Sequence, residues 1–264
     1  MKMLVFDLDG TLLSGDGMIS LKTRDYILKK KQEGHRIVIA TGRVKNSAIA
    51  VTRGGECVDI FISDTGALIY DNNLKKELFV RHLPKEFAEY ILDLYDKNVI
   101  RFIDICDHDY IYKLSEIKEE NPVIINASTK SEILDNIGDI IHVGIDFYNN
   151  DMAIKTYHEL TNKFSDLSII LMQDSFSTRK WIEIMPPECN KPNALKKVSE
   201  YYNVKNEDII CFGDGLNDIE MLKCCGVGVA MANALDEVKA VADEVTEKAN
   251  TEDGIVDFLD NYLK

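Results

Sequence analysis

The chain has far fewer basic than acidic residues, and this imbalance limits the ligands that it can bind. Its 264 residues hold 31 Lys and Arg against 45 Asp and Glu, a formal net charge of −14. General nucleic-acid binding needs basic patches for the phosphates, so we expect no nucleic-acid partner. An anionic ligand would have to be held by local devices, such as a metal ion, helix amino ends and one or two lysines.

Other features are missing as well. No run approaches about 18 apolar residues, so we expect no membrane span and no membrane partner. The first residues enter an apolar run without the basic, apolar and small-residue progression of a secretory signal. The six cysteines are scattered, with no Cys-x-x-Cys pair and no histidine cluster. These absences predict a cytoplasmic protein with reduced thiols.

The apolar runs that are present predict a parallel α/β core. Strands are expected over Met3–Phe6, Arg36–Ala40 and Asp59–Ser63. A helix is expected from the N-cap Ser20 to about Glu33, and Thr41-Gly42-Arg43 should open a second helical stretch to about Thr52. Strands and helices that alternate in this way form a doubly wound parallel sheet, which is a Rossmann-like core.

The pattern changes at Leu83-Pro84 and resumes after Pro186-Pro187. We expect residues 1–82 and 187–264 to form the core and residues 83–186 to form an inserted α+β cap. The predicted elements of the cap are helices over Lys85–Lys97, Glu132–Ile137 and Met152–Phe164, and strands over Ile100–Ile105, Tyr110–Lys113, Ile140–Phe147, Ser168–Met172 and Trp181–Ile184. The core then resumes with a helix from Lys191, a strand Asp208–Phe212, a helix Leu216–Lys223, a strand Val227–Met231, a helix Asp236–Ala242, an edge strand Glu244–Thr246 and a helix Gly254–Leu263.

Acidic residues follow two of the core strands. Asp7 and Asp9 come directly after the first strand, and Asp214 and Asp218 follow the strand that ends at Phe212. In an open parallel sheet, ligands bind in the crevice beyond the carboxyl ends of the strands. Carboxylates gathered there repel one another unless a cation lies between them, so the pattern indicates a metal ion.

Two further segments could complement the acidic crevice. A strand that ends in Thr41-Gly42 and opens a helix offers a hydroxyl and free N–H groups to a phosphate, although Thr is also a routine N-cap. Lys191 begins the helix that leads into the Asp208–Phe212 strand. A cation there could pair with a phosphate and offset the crowded carboxylates.

Together these segments resemble the haloacid dehalogenase-like superfamily. Asp7-Leu-Asp-Gly-Thr-Leu-Leu13, Ala40-Thr-Gly-Arg43, Lys191 and Gly213-Asp-Gly-Leu-Asn-Asp218 occur in the order seen there. The Ala-Thr-Gly-Arg form and the insert between the second and third motifs are similar to the Cof-type sugar phosphatases with a type IIB cap. The resemblance runs essentially from end to end of the chain.

The resemblance implies a role for each matching residue. Asp7 would attack phosphorus and form an aspartyl-phosphate, and Asp9 would protonate the leaving group and then deprotonate the attacking water. Asp7, the backbone carbonyl of Asp9 and Asp214 would hold Mg²⁺, with Asp218 orienting its ligands. The phosphate oxygens would bind to a set contributed by several segments: the Leu8 amide, Thr41, the Gly42 amide, Lys191 and Asn217.

The chain departs from the Cof-type pattern at Thr65, where Asn is usual, and at Pro192, where a small residue is usual. The substrate cannot be read from the sequence, because cap residues choose it in this family. The candidates for substrate contact are Arg43, Asp104, Asp107, His108, Asp109, Lys113, Arg179 and Trp181.

A small phosphorylated metabolite, most simply a sugar phosphate, is the expected substrate, and the oligomeric state is open. Three other hypotheses for the function were weighed. A phosphomutase or phosphotransferase would use the same Asp nucleophile, and a regulatory protein would bind a phosphometabolite without turnover. A Rossmann dehydrogenase is disfavoured because Gly213-Asp-Gly215 lacks the third glycine of that fingerprint.

Overall fold

The buried apolar runs of the sequence form the strands. In the computed structural model, which describes residues 1–173 and 178–263, every residue of the first strand is buried. The strands of the described residues are β1 (Met3–Phe6), β2 (Arg36–Ala40), β3 (Ile60–Ser63), β4 (Leu68–Asp71), β5 (Lys76–Val80), β6 (Ile100–Cys106), β7 (Ile111–Ser115), β8 (Ile124–Ala127), β9 (His142–Phe147), β10 (Ser168–Gln173), β11 (Lys180–Met185), β12 (Ile209–Gly213), β13 (Val227–Ala230) and β14 (Glu244–Val245).

Several helices begin at residues whose side chains satisfy the first backbone donors. Ser20 accepts a hydrogen bond from the Thr23 N–H, as predicted, and Asn190 accepts one from the Asn193 N–H. The helices are α1 (Leu21–Gln32), α2 (Lys45–Val51), α3 (Lys85–Asp93), α4 (Lys130–Leu134), α5 (Asn150–Lys163), α6 (Lys191–Tyr202), α7 (Ile219–Cys224), α8 (Asp236–Lys239) and α9 (Gly254–Tyr262).

The chain divides into two compact units. The first unit comprises Met1–Phe79 and Asn190–Lys264, and the second comprises Val80–Cys189. The boundaries expected from the sequence, 82/83 and 186/187, lie three residues inside the second unit at each end.

An eight-stranded sheet runs through the first unit in the order β14-β13-β12-β1-β2-β3-β4-β5. The strands from β14 to β3 are parallel, and β4 is antiparallel to β3. Phe6 lies opposite Ile39 of β2 and Phe212 of β12. The carboxyl ends of these three central strands therefore meet at one edge of the sheet.

Helices pack their apolar side chains against this sheet. Helix α1 contacts α9, and α6 contacts α7. Ile27, Leu195, Leu222 and Leu259, one from each of these helices, are buried in one core with the strands. These contacts, with the parallel register, confirm the predicted doubly wound α/β fold.

A second sheet forms the inserted unit, in the order β10-β11-β9-β6-β7-β8. Its pairs are antiparallel except β7 with β8, which are parallel. One face carries Ile103, Val143 and Ile182, which are buried in a core with residues of α3 and α5. Because side chains alternate along a strand, Asp104 and Asp146 lie on the opposite face. The unit is α+β, as predicted.

The element bounds differ from the sequence prediction in several places. Helix α3 ends at Asp93 rather than Lys97. Helix α4 begins at Lys130 because the Thr129 hydroxyl accepts a hydrogen bond from the Glu132 N–H. Strands β4, β5 and β8 were not predicted. Within the described residues, no helix is both long enough and apolar enough to cross a membrane.

Candidate active site

A tight turn follows β1 and carries the first acidic motif. The Leu13 N–H donates to the Leu8 carbonyl at 2.9 Å and closes the turn over Leu8–Leu12. Gly10 has φ +78°, and a Cβ atom there would lie 2.2 Å from Asp214 Oδ2. Only glycine therefore lets this turn approach the Asp214 carboxylate so closely.

Three carboxylates converge beyond the ends of β1 and β12. Asp7, Asp214 and Asp218 each offer an oxygen, and these oxygens all lie within 4.8 Å of one another. Asp7 and Asp218 are buried, at 6% and 1% exposure. The Thr11 hydroxyl donates to Asp214 Oδ1 at 2.8 Å, which orients that carboxylate from the β1 turn.

Asp218 also organises the loop after β12. Its Oδ2 accepts hydrogen bonds from the N–H groups of Asp214 and Gly215, both at 3.1 Å. A short single-turn helix spans Leu216–Asp218, and α7 begins only at Ile219, so the helix predicted over Leu216–Lys223 is divided. Asp214 lies before this helical turn. The hydrogen bonds from the Asp214 and Gly215 N–H groups therefore hold Asp218 beside Asp214.

Lys191 is the buried cation of the cluster. Its Nζ lies 2.6 Å from Asp7 Oδ1 and 2.6 Å from Asp218 Oδ1, and the residue is 1% exposed. Lys191 is the first residue of α6, and Asn190 caps that helix. Pro192 fits the first turn because its missing N–H has no intrahelical partner there.

Burial and the close charges shift the pKa values of the residues in this cluster. Burial raises the pKa of Asp7 well above its ordinary value, although Lys191 opposes the shift. Burial also raises the pKa of Asp214 to about 6, against the Thr11 hydrogen bond. Burial disfavours the charge of Lys191, but Asp218 and Asp7 outweigh it and raise its pKa.

When all three carboxylates are ionised, they and the single ammonium leave an excess of two negative charges, which a bound cation would offset. The convergent donors are all carboxylate oxygens, the ligands that a hard divalent cation such as Mg²⁺ prefers. The residues present therefore fit the metal ion that the sequence implied.

Asp9 does not join this cluster. Its Oδ2 accepts from Arg43 Nε at 2.7 Å, and its Oδ1 accepts from Arg43 Nη2 at 2.6 Å. The Asp9 side chain is 59% exposed and that of Arg43 30%. We expected the carboxylates of Asp7 and Asp9 to lie in one acidic cluster. Instead, Asp9 is paired with Arg43, and Asp7 lies with Asp214 and Asp218.

The segment Thr41–Arg43 is held differently from the prediction. The Thr41 N–H donates to the Ile62 carbonyl and the Asp64 N–H donates to the Arg43 carbonyl, at 2.9 and 3.0 Å. These bonds tie the segment to the end of β3, so α2 begins at Lys45 rather than at Gly42. The buried Thr41 hydroxyl accepts from the Arg43 N–H at 3.2 Å.

Backbone strain surrounds the start of α6. Asp64, Thr65 and Gly66 have φ values of +49°, +53° and +99°. A Cβ atom at Gly66 would lie 2.5 Å from the Asn190 carbonyl oxygen, so this turn packs directly against the N-cap of the helix that carries Lys191. A β-branched residue such as Thr65 is an outlier in the left-handed region.

The remaining phosphate-site candidates come from three separate segments of the chain. Leu8 is buried in the turn after β1, Gly42 is half-buried, and Asn217 is exposed in the single-turn helix Leu216–Asp218. Two contributors were not assigned by the sequence analysis: Thr11, which orients Asp214, and Asn233, whose Nδ2 donates to the Gly10 carbonyl at 2.7 Å. Both residues lie in segments that carry the family resemblance, Thr11 in the first motif and Asn233 in Val227–Ala234, but neither had been given a role.

In the second unit, charged and aromatic residues occupy the sheet face opposite its core. Asp146 lies between Phe102 and Trp181 in register. Its carboxylate is 2% exposed and lies 3.8 Å from Arg101 Nε and 3.6 Å from Arg179 Nη1. Burial raises the pKa of Asp146, although Arg179 and Arg101 lower it.

A second, half-buried carboxylate lies on the same face. Asp104 Oδ1 is 3.8 Å from Lys113 Nζ, which also bonds Glu119 at 2.7 Å. Burial raises the pKa of Asp104 to about 7. Trp181 donates from Nε1 to Glu183, and its ring faces the Arg179 guanidinium at 5.7 Å. The other candidates, Asp107, His108 and Asp109, lie in the connection between β6 and β7.

Comparisons with known proteins identify the family. Residues 4–259 match the haloacid dehalogenase-like hydrolase model. The chain is 32% identical over 272 residues to 5-amino-6-(5-phospho-D-ribitylamino)uracil phosphatase YitU of Bacillus subtilis, covering 99% of this chain and 97% of that protein.

Solved structures agree on the fold. A haloacid dehalogenase-like hydrolase from Bacteroides thetaiotaomicron matches with a TM-score of 0.83 and 25% identity, over 99% of each chain. The HAD subclass IIB sugar phosphatase BT4131 matches with a TM-score of 0.78 and 23% identity, over 99% of each chain. The resemblance stated from the sequence is therefore confirmed, and the chain belongs to the haloacid dehalogenase-like hydrolases, as a phosphatase acting on phosphoric monoesters.

Proposed function

We propose that the chain is a Mg²⁺-dependent phosphatase that hydrolyses a small phosphorylated metabolite through an aspartyl-phosphate on Asp7. The observation that carries this proposal is the convergence of Asp7, Asp214 and Asp218 with Lys191 beyond the ends of β1 and β12. Such a site offers one buried nucleophile beside fixed positive and negative charges, and phosphoryl transfer depends mainly on positioning and charge neutralisation.

The reaction would proceed in two steps. An Asp7 oxygen attacks phosphorus, the bond from phosphorus to the ester oxygen breaks, and Asp9 gives its proton to that oxygen. Asp9, now a carboxylate, takes a proton from the water that attacks the aspartyl-phosphate. Asp7 is released together with inorganic phosphate.

Asp7, the backbone carbonyl of Asp9 and Asp214 would hold the Mg²⁺, and Asp218 would orient this set through Lys191 and the Asp214 N–H. The bound ion would neutralise charge on the transferring phosphoryl group. The phosphoryl oxygens would accept hydrogen bonds from donors at several strand ends: the Leu8 and Gly42 amides, the Thr41 hydroxyl, Lys191 and Asn217.

For the substrate, we propose a phosphate ester of a sugar or sugar alcohol, selected by the second unit. This is supported by the polar sheet face there. Asp146 and Asp104 face cations at 3.6 to 3.8 Å, beyond normal hydrogen-bond distance. Hydroxyl or amide groups of a ligand could bond both the carboxylate and the cation of each pair, and Trp181 offers a ring for stacking.

The relative YitU supplies one specific candidate, because its name states that it acts on 5-amino-6-(5-phospho-D-ribitylamino)uracil. That compound joins a ribityl chain to a planar uracil, which matches the polar and aromatic character of this face. We further propose a cytoplasmic location, which the scattered cysteines of the sequence support.

The test is release of inorganic phosphate from a panel of sugar phosphates, ribityl phosphates and p-nitrophenyl phosphate, with Mg²⁺ and with EDTA. Asp7→Asn should lose more than about a hundredfold in kcat, beyond the smallest effect of one acid–base group. Asp25→Asn, an exposed aspartate of α1, is the control. Substantial turnover by Asp7→Asn would exclude the nucleophile, and isomerised product without free phosphate would favour a phosphomutase.

Selection by the second unit has its own test. Asp146→Asn and Trp181→Ala should raise KM for the best metabolite by about tenfold or more, the effect of losing one good contact. KM for p-nitrophenyl phosphate should change less. Asp93→Asn, on the exposed side of α3, is the control. If KM for both esters changes equally, the polar face does not select the substrate.

A further inference from the structure

The contact between Arg43 and Asp9 uses both oxygens of the carboxylate. Nε and Nη2 of one guanidinium donate at 2.7 and 2.6 Å, a two-point geometry that fixes the carboxylate plane as well as its position. With side chains 59% and 30% exposed, such a pair adds little to the free energy of unfolding. Stability is therefore a weak reason for this geometry.

Arg43 is itself held on its other side. Its Nη1 donates to the Ser47 hydroxyl of α2 at 3.2 Å. Its backbone N–H donates to Thr41, and its carbonyl accepts from the Asp64 N–H. The guanidinium thus belongs to a segment bonded to the end of β3, whereas Asp9 lies in the turn after β1. The pair connects two different strand ends of the sheet.

We propose that Arg43 is a positioning residue that acts through Asp9, holding the carboxylate where it can exchange a proton with the ester oxygen and then with water. The inference rests on the proposed function, in which Asp9 is the acid and base. Lysine cannot reproduce the two-point contact, because its ammonium is a single point of charge.

This role makes the effect of Arg43 depend on the leaving group. p-Nitrophenolate leaves without help from an acid, whereas the alkoxide of a sugar needs a proton. Arg43→Met should therefore lower kcat for a sugar phosphate at least about tenfold more than it lowers kcat for p-nitrophenyl phosphate. Arg43→Lys should restore only part of the loss. If Arg43 bound the phosphate instead, KM for both esters would rise in parallel, and that result would overturn the proposal.

A double-mutant cycle gives the second readout. In the Asp9→Asn background, Arg43→Met should cost less than about threefold further in kcat for the sugar phosphate, because its effect passes through Asp9. If the losses in kcat caused by Asp9→Asn and Arg43→Met multiply in the double mutant, the positioning role is wrong. Arg24→Met is a control of similar exposure, because Arg24 donates twice to one oxygen of its neighbour Asp25, with side chains 29% and 62% exposed. That variant should keep wild-type activity.

The same series separates the two proposals. No wild-type turnover of any ester would overturn the proposed function and, with it, the role of Arg43. Wild-type turnover that is lost in Asp7→Asn, together with parallel or independent Arg43 effects, would overturn the role of Arg43 alone.

Discussion

Lys191 Nζ lies 2.6 Å from Asp7 Oδ1 in a site where both side chains are buried. The proposed nucleophile therefore has a permanent cationic partner, which favours its ionised form despite burial. The same ammonium contacts Asp218 at 2.6 Å, so one positive charge serves two carboxylates.

Removing this cation should destabilise the fold. Lys191→Met leaves two carboxylates buried without their partner, and we expect the free energy of unfolding at pH 7 to fall by about 3 kcal/mol or more. Because pairing raises the pKa of Lys191 above its unfolded value, the stabilisation is complete below about pH 10 and is lost only in stronger alkali. Urea titration measures the loss. Lys223→Met, at a half-exposed site on α7, should change little.

Magnesium should stabilise the protein in a pH-dependent way. The pKa of Asp214 is raised from 3.8 to about 6, so the metal-free native state binds its proton more tightly than the unfolded state does. The free energy of unfolding without metal should then fall as the pH rises from about 4 to 6. Mg²⁺ replaces that proton, so the increase in Tm on adding Mg²⁺ should be largest above pH 6 and shrink below it.

Asp214→Asn is the control for this pH effect, because it removes the titrating group and a charged ligand together. The variant should show a small Mg²⁺ shift of Tm at every pH. An increase in Tm that stays constant from pH 5 to 8 in the wild type would place the ion away from Asp214.

Gly10 and Gly17 allow a matched test of the close approach to Asp214. Both have positive φ, but a Cβ at Gly10 would collide with Asp214 Oδ2 at 2.2 Å, whereas a Cβ at Gly17 would meet nothing within 4 Å. Gly17→Ala should cost about 1 kcal/mol in backbone strain and leave kcat and the Mg²⁺ requirement unchanged. Gly10→Ala should weaken Mg²⁺ binding as well. If Gly10→Ala and Gly17→Ala bind Mg²⁺ with the same affinity in a titration, the close packing of Gly10 against Asp214 does not matter for metal binding.

The sequence predicted much of the core because its signals are local. Apolar runs that end in Asp7 and Gly213 define buried strands, and parallel strands must end at one edge, so the acidic motifs had to meet there. Ser20 and Asn190 begin helices through side-chain contacts within three residues, which the sequence displays directly. The parallel direction of the central strands followed from the alternation of strand and helix.

The parts that were missed depend on distant partners. Nothing near Asp9 in the sequence indicates that Arg43, 34 residues away, takes both of its oxygens. The segment Thr41–Arg43 stays out of a helix because the Ile62 carbonyl and the Asp64 N–H bond it from the next strand. The β4 strand follows a left-handed turn at Asp64–Gly66 whose middle residue is Thr65, and a β-branched residue is not typical of such a turn.

Thr65 stores strain that an asparagine would relieve. Its φ and ψ of +53° and +26° lie in the left-handed region, where a β-branched side chain is disfavoured and Asn is enriched. Thr65→Asn should raise the free energy of unfolding by about 0.5 to 1 kcal/mol, measured by urea titration. The reciprocal control is Asn203→Thr, at an exposed residue with φ +52° after α6, which should lower it by a similar amount. If Asn203→Thr destabilises and Thr65→Asn does not stabilise, the Thr65 side chain makes packing contacts that outweigh its strain. In that case, packing of the Thr65 side chain would stabilise the Asp64–Gly66 turn beside Asn190.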